Sequence, residues 1–344
     1  MRKEVLAVGC ALMVFCGCGK NNAAQHYESG WAAMEKKDYT TAVNEFQQVI
    51  DQNSRLAESY RAEGIAYYSE KAYPEAIAAF SRSLNNMDDP DKEFKKDVQF
   101  YLAQARMDYG EVDKAIEVYS EILKAGEDEQ AFFLRGKAYI SMEDYKNAEK
   151  DFQRALEGCE DYNLYINIYQ IYVDHNKAVD GDAYLKMALE LEPQDGEDCY
   201  HRGRIYEYEK NYEAARDELK TAMEHGYEDA MLLLGRVYLE MEDPASARSM
   251  YQEYLQKSEQ GAKAYNGLAM CDIYDGAYDS ALENIAQGLK ENSKEDEQGL
   301  LYNEIVAYEY KRDFATAKEK MKIYLEQYPE DEAALRENEF LSTR

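Results

Sequence analysis

Residues 132–156, FFLRGKAYISMEDYKNAEKDFQRAL, hold the pattern on which the whole chain is built. Gly136 and Tyr139 lie three residues apart, and Ala148, Phe152 and Ala155 follow on the next apolar pattern. Small and large residues alternate at helical spacing on both sides of Asp144. That spacing predicts a helix, a tight turn and a second helix, with small residues where backbones come close. Gly136 and Ala148 are expected at the crossing of the two.

The same pattern recurs along the chain. Taking the small residue of each second helix as marker gives Ala42, Ala76, Ala115, Ala148, Gly181, Ala215, Ala247, Ala281 and Ala317. Successive markers stand 34, 39, 33, 33, 34, 32, 34 and 36 residues apart, the long step coming from an insertion around Asn85 to Lys95. Repetition at this period calls for a stacked array rather than two globular domains. Prolines agree with it: Pro74 and Pro244 fall at starts of second helices, and Pro193 and Pro329 follow second helices. Asp38, Asp144, Asn211, Asp243 and Asp313 sit where a side-chain oxygen can cap a second helix. Two units depart from the pattern, with Arg106 and Asp272 at the place of the aromatic. In the seventh, Tyr254 replaces a small residue, which predicts looser or shifted packing there.

This joint recurrence resembles the tetratricopeptide repeat family over roughly residues 23–329. The resemblance implies an all-α, right-handed superhelical solenoid of about nine helix-turn-helix repeats, closed by a C-terminal capping helix. It also implies a binding groove lined by the first helices, which takes extended peptides or partner helices. The expected organisation is a signal peptide over 1–17, a tether over 18–23, the solenoid over 24–329 and a capping helix and tail over 330–344. Three free cysteines, Cys159, Cys199 and Cys271, are expected as small core thiols.

The first twenty residues, MRKEVLAVGCALMVFCGCGK, place Arg2 and Lys3 before an apolar run from Val5 to Phe15. That run is too short for a mature membrane span and suits a signal h-region. Its end resembles a bacterial lipoprotein signal, with Gly17 before Cys18. The resemblance implies lipidation of Cys18 and anchoring on the outer face of a membrane in a bacterial cell envelope. An uncleaved leader or a plain secretory signal are the alternatives.

Acidic residues outnumber basic ones by 69 to 40, a net charge of −29, which repels nucleic acid and anionic lipid. His26, His175, His201 and His225 are scattered without metal-ligand spacing, and no phosphate loop or nucleophile elbow occurs. No enzyme, metal or cofactor is expected. The acidic run Asp88, Asp89, Pro90, Asp91 lacks the glycine and terminal glutamate of a calcium loop. Most of the 32 tyrosines fall on the core stripe.

Beside that core stripe, each first helix carries a second one, expected to face inward. Eighteen of its 27 residues are apolar, above the 45% of the chain, as a partner-binding surface requires. Its candidate residues are Tyr27, Trp31, Tyr68, Phe100, Phe133, Lys137, Tyr200, Arg204, Arg236 and Tyr302, with Ile140, Ile166, Leu232, Asn266 and Met270 on the same stripe. Arg61, Lys137, Arg204 and Arg236 raise the further expectation of a basic site for an acidic ligand. The function expected is a non-enzymatic scaffold or adaptor for a protein or peptide partner. A ligand-capture lipoprotein for glycan or peptide uptake and an outer-membrane protein assembly factor are the alternatives.

Overall fold

The structure is a computed structural model and describes residues 22–87 and 91–344. Cys18, the signal and most of the tether, and three residues of the acidic run, lie outside them. Among the described residues there are nineteen α-helices and no strand. They form nine first/second pairs: α1 (Asn22–Glu35) with α2 (Tyr39–Asp51), α3 (Leu56–Ser69) with α4 (Tyr73–Asn85), and α5 (Lys92–Tyr109) with α6 (Val112–Ala125). Next come α7 (Glu129–Ser141) with α8 (Tyr145–Ala155), α9 (Tyr162–Asp174) with α10 (Ala178–Leu189), and α11 (Gly196–Tyr208) with α12 (Tyr212–Glu224). The last three are α13 (Ala230–Glu240) with α14 (Pro244–Lys257), α15 (Ala262–Tyr274) with α16 (Tyr278–Lys290), and α17 (Glu297–Tyr310) with α18 (Phe314–Gln327). A single helix, α19 (Glu332–Ser342), follows. The described residues form two compact units, one up to Tyr184 and one from Leu185 onward, divided within α10.

All nine turns inside the pairs share one construction. One residue at each turn takes a left-handed conformation: Lys37, Lys71, Gly110, Glu143, Asn176, Lys210, Glu242, Gly276 and Arg312. The next residue's N–H then reaches back to a carbonyl in the last turn of the first helix. Asp144 N donates to Tyr139 O at 2.9 Å, and Asn211 N to Tyr206 O at 2.8 Å. This returns an orphan carbonyl of the first helix to a hydrogen bond and stops the helix. The five expected caps then start the second helix: Asp38, Asp144, Asn211, Asp243 and Asp313 each accept from a backbone N–H three residues on.

The core lies between paired helices. Phe46, Phe80 and Phe152 are fully buried on second helices of the first unit, each against a glycine of its partner. A Cβ placed on Gly30, Gly64 or Gly136 would stand 2.5, 2.6 or 2.7 Å from that ring, so only glycine fits. Leu219, Ile285 and Met321 fill the corresponding space in the second unit, with Ala215, Ala281 and Ala317 wholly buried beside them. The insertion lengthens α5 to 18 residues. Helix α19 buries Ala334 and Leu341 against Ala317, Met321 and Tyr324 of α18, covering the last repeat.

Asp272 stands where most repeats have the aromatic. Its buried carboxylate accepts from Arg248 Nη1 (2.7 Å), Ser280 Oγ (2.8 Å) and Asn284 Nδ2 (2.7 Å), so a polar hub replaces ring packing. Cys199 and Cys271 are buried and free, and burial pushes the Cys271 thiol up to about 11. Cys159 is only half-buried, because it falls in the turn before α9 and not on a core face. Among the described residues, no helix is long and apolar enough to cross a membrane.

Candidate partner-binding site

The first helices carry the candidate residues, and the structure divides these into two kinds. Tyr27 and Trp31 are half-buried and meet Phe46 edge-on, at centroid separations of 5.8 and 5.6 Å. Phe100 leans on Tyr119 (6.3 Å), Phe133 on Phe152 (6.1 Å) and Tyr302 on Tyr324 (5.8 Å). These rings therefore share their faces with the core. Lys137 and Arg236 are exposed. Ile140 and Ile166, expected on the inward stripe, are instead buried at 0% and 3% exposure. Helix α9 explains Ile166, since it buries Tyr162, Tyr165, Ile168 and Ile171 as well and is packed on most of its circumference.

Polar contacts run from one first helix to the next or to the connection that leads into it. Arg61 Nε donates to Asp97, and the Tyr68 hydroxyl to Asp108. In the second unit Arg236 grips Glu207 through two nitrogens, at 2.7 Å each, and Lys263 Nζ reaches Glu295 at 3.1 Å. Asn303 Nδ2 donates to Asn266 Oδ1 at 2.8 Å. Two of the four cations expected to make a basic site are thus held by carboxylates. Arg204 sits 5.9 Å from the Tyr200 ring centroid and 3.3 Å from His201 Nδ1, while Lys137 is exposed and has no ion pair among the described residues.

In the second unit the stripe opens into a cavity of about 780 Å³. Five stripe residues line it: Tyr200 of α11, Leu232 and Arg236 of α13, and Asn266 and Met270 of α15. Its back wall is Tyr251 and Tyr254 of α14, and its rim is the α16–α17 connection with Ser293, Glu295 and Asp296. The Tyr251 ring is clamped between two glycines. Cβ atoms on Gly235 and Gly267 would come within 2.6 and 2.3 Å of its Cζ, so the absence of side chains lets it cross between α13 and α15. Tyr254, the residue that breaks the small-residue pattern, is 8% exposed and aims its hydroxyl at Asp229 Oδ1, 3.5 Å away. Tyr254 is thus accommodated in the packing of this repeat, and the cavity lies against it. Burial raises the Tyr200 hydroxyl above its ordinary range, with Asp229 adding to the shift and Arg204, Arg236 and Lys263 opposing it.

The sequence pointed to Tyr200 and Arg236 directly. Asp229 and Lys263 stood only at flanking positions, and Gly267 and Gly299 carried no signal, because a glycine that shapes a cavity looks like any other helical glycine. Among the described residues, no cluster of three or more metal-type ligands is present.

Tetratricopeptide repeat family models match residues 27–91, 200–262 and 232–297, and a second such model matches 129–161. The chain is a tetratricopeptide-type helical repeat protein. Solved structures similar to it include YrrB, described as a tetratricopeptide protein with an unusual peptide-binding site, at 26% identity over 55% of this chain and 97% of that one (TM-score 0.36). A tetratricopeptide repeat protein from Parabacteroides merdae aligns at 16% identity over 83% and 99% (TM-score 0.46). Yeast Tom70 aligns at 15% over 89% and 78% (TM-score 0.49). No curated protein sequence matches the chain.

Proposed function

We propose that this chain is a non-enzymatic scaffold or adaptor, lipid-anchored through Cys18 on the outer face of a bacterial envelope membrane. It binds a peptide segment or a partner helix along its first-helix face. The observation that carries this reading is the cavity, because five residues of the inward stripe converge on it while the second helices spend their large residues on the core. Apolar surface not consumed by folding, joined to a few polar groups, is what a recognition site needs. The size of the cavity also falls within the range of small-ligand sites, roughly 300–1,000 Å³, which favours capture of a glycan or peptide as the second reading.

Affinity capture from native membranes tests the proposal. Met270 is 41% exposed at the cavity, so Met270→Trp fills the opening without disturbing the core. The proposal expects a captured partner to be lost with this variant; a full set of partners retained by Met270→Trp and by a matching change at Lys137 contradicts it. Trp31 and Phe133 are poorer choices for such a variant, since both pack on core rings.

A further inference from the structure

We infer that the α11–α17 cavity takes a basic side chain, a lysine or arginine carried on an extended segment of the partner. This rests on the peptide-binding reading above and gives it a charge. The first observation is what remains after internal pairing. Arg236 is held by Glu207, and Lys263 by Glu295. Asp229 and Glu291 line the cavity and form no ion pair among the described residues, and Asp296 stands 3.9 Å from Lys263 and accepts from Ser293 Oγ at 2.6 Å. Among the residues that line the cavity, Asp229, Glu291, Glu295 and Asp296 outnumber Arg236 and Lys263, so carboxylates are in excess there, while Arg204, Lys290 and Lys294 stand outside the lining.

The second observation concerns helix caps. Asp128, Asp161 and Asp195 stand at the N-caps of first helices α7, α9 and α11, and each gives a side-chain oxygen to a backbone N–H of its helix. Asp229 stands at the N-cap of α13 and makes no such bond. Its carboxylate turns into the cavity, where its contact is the 3.5 Å approach of the Tyr254 hydroxyl. The backbone of Asp229 is already helical, and the cap bond those aspartates make is left unmade. A cationic head group there would gain a charge-assisted hydrogen bond. Its alkyl stem would lie along Leu232 and the tyrosine rings, the way lysine and arginine stems cover apolar surface. The net charge of −29 draws such a partner in from a distance.

The test uses the full chain and fluorescein-labelled extended heptapeptides of one neutral frame, carrying two lysines, two Nε-acetyl-lysines or two glutamates. Anisotropy titration at low salt should show the lysine peptide binding at least tenfold more tightly than either of the others. Asp229→Asn, which removes no helix cap, should erase most of that preference, and Val179→Ala, on a second helix of the other unit, should leave it intact. Equal binding of all three peptides, abolished by Met270→Trp, keeps the peptide site and overturns its basic preference. Tighter binding of the glutamate peptide, or a lysine preference unchanged in Asp229→Asn, also overturns the assignment. Binding of no peptide at all overturns both it and the peptide-binding reading on which it rests.

Discussion

Gly136, Ala148 and Phe152 show how a single residue type sets the distance between helices. Ala148 is fully buried, and the Phe152 ring occupies the volume a Cβ on Gly136 would need. Ala148→Leu forces extra methylenes into that contact, which costs about 1–3 kcal/mol; differential scanning calorimetry should show a lower melting temperature. Gly267→Ala is a sharper case. Alanine gains about 1 kcal/mol of helix propensity over glycine. Yet its Cβ would stand 2.3 Å from Tyr251 Cζ, and that ring is gripped from the other side by Gly235. Overpacking therefore wins, and urea titration should show a net loss of about 1–2 kcal/mol. The glycine-to-aromatic spacing was legible in the sequence because it recurs; the double clamp on Tyr251 was not, because it joins two neighbouring repeats at one place only.

At the scale of the helix, the caps were legible and the turns were not. An aspartate before an apolar pattern signals a helix start by its chemistry. The left-handed residue one position earlier carries no comparable mark, since lysine, glutamate, asparagine, arginine and glycine all serve there. A non-glycine residue in this conformation costs about 1 kcal/mol. Glu143→Gly should therefore leave the fold stable or raise its melting temperature slightly, against the fall expected for glycine elsewhere in a helix. The α17–α19 contact gives a pH dependence. Glu309 Oε1 is buried without a hydrogen-bond partner, and burial together with the facing Glu337 pushes the Glu309 carboxyl from 4.5 to about 7. Tyr302 feels both carboxylates, with Asp331 and Arg336 acting on it as well. A carboxyl raised in the folded state stabilises below its unfolded value, and that contribution is lost as pH climbs through the folded one. Helix α19 should thus dock more firmly at pH 5.5 than at pH 8. Hydrogen exchange of α19 amides measured at the two values should show this, with the difference reduced in Glu337→Gln.

For the whole molecule, composition and period together gave the repeat architecture, because nine copies of a weak pattern make a strong one. The binding face was only partly legible. Helical periodicity finds the stripe next to the core, but Ile140 and Ile166 turned into the core, and the polar ladder Arg61–Asp97, Glu207–Arg236 and Lys263–Glu295 consumed charges that looked available. Those pairings join residues about one repeat apart, which no single repeat displays. The proposed lipid anchor is tested separately: Cys18→Ala should release the protein from membranes into the soluble fraction.

The central claim is that partners meet the first helices and not the second. Photo-crosslinking side chains placed at Lys137 and Met270 sample the first-helix face of each unit; the same group at Val179 and Ile323, 83% and 45% exposed on second helices, samples the other. The account predicts partner adducts from Lys137 or Met270 and none from Val179 or Ile323. Adducts formed mainly from Val179 and Ile323 would contradict it.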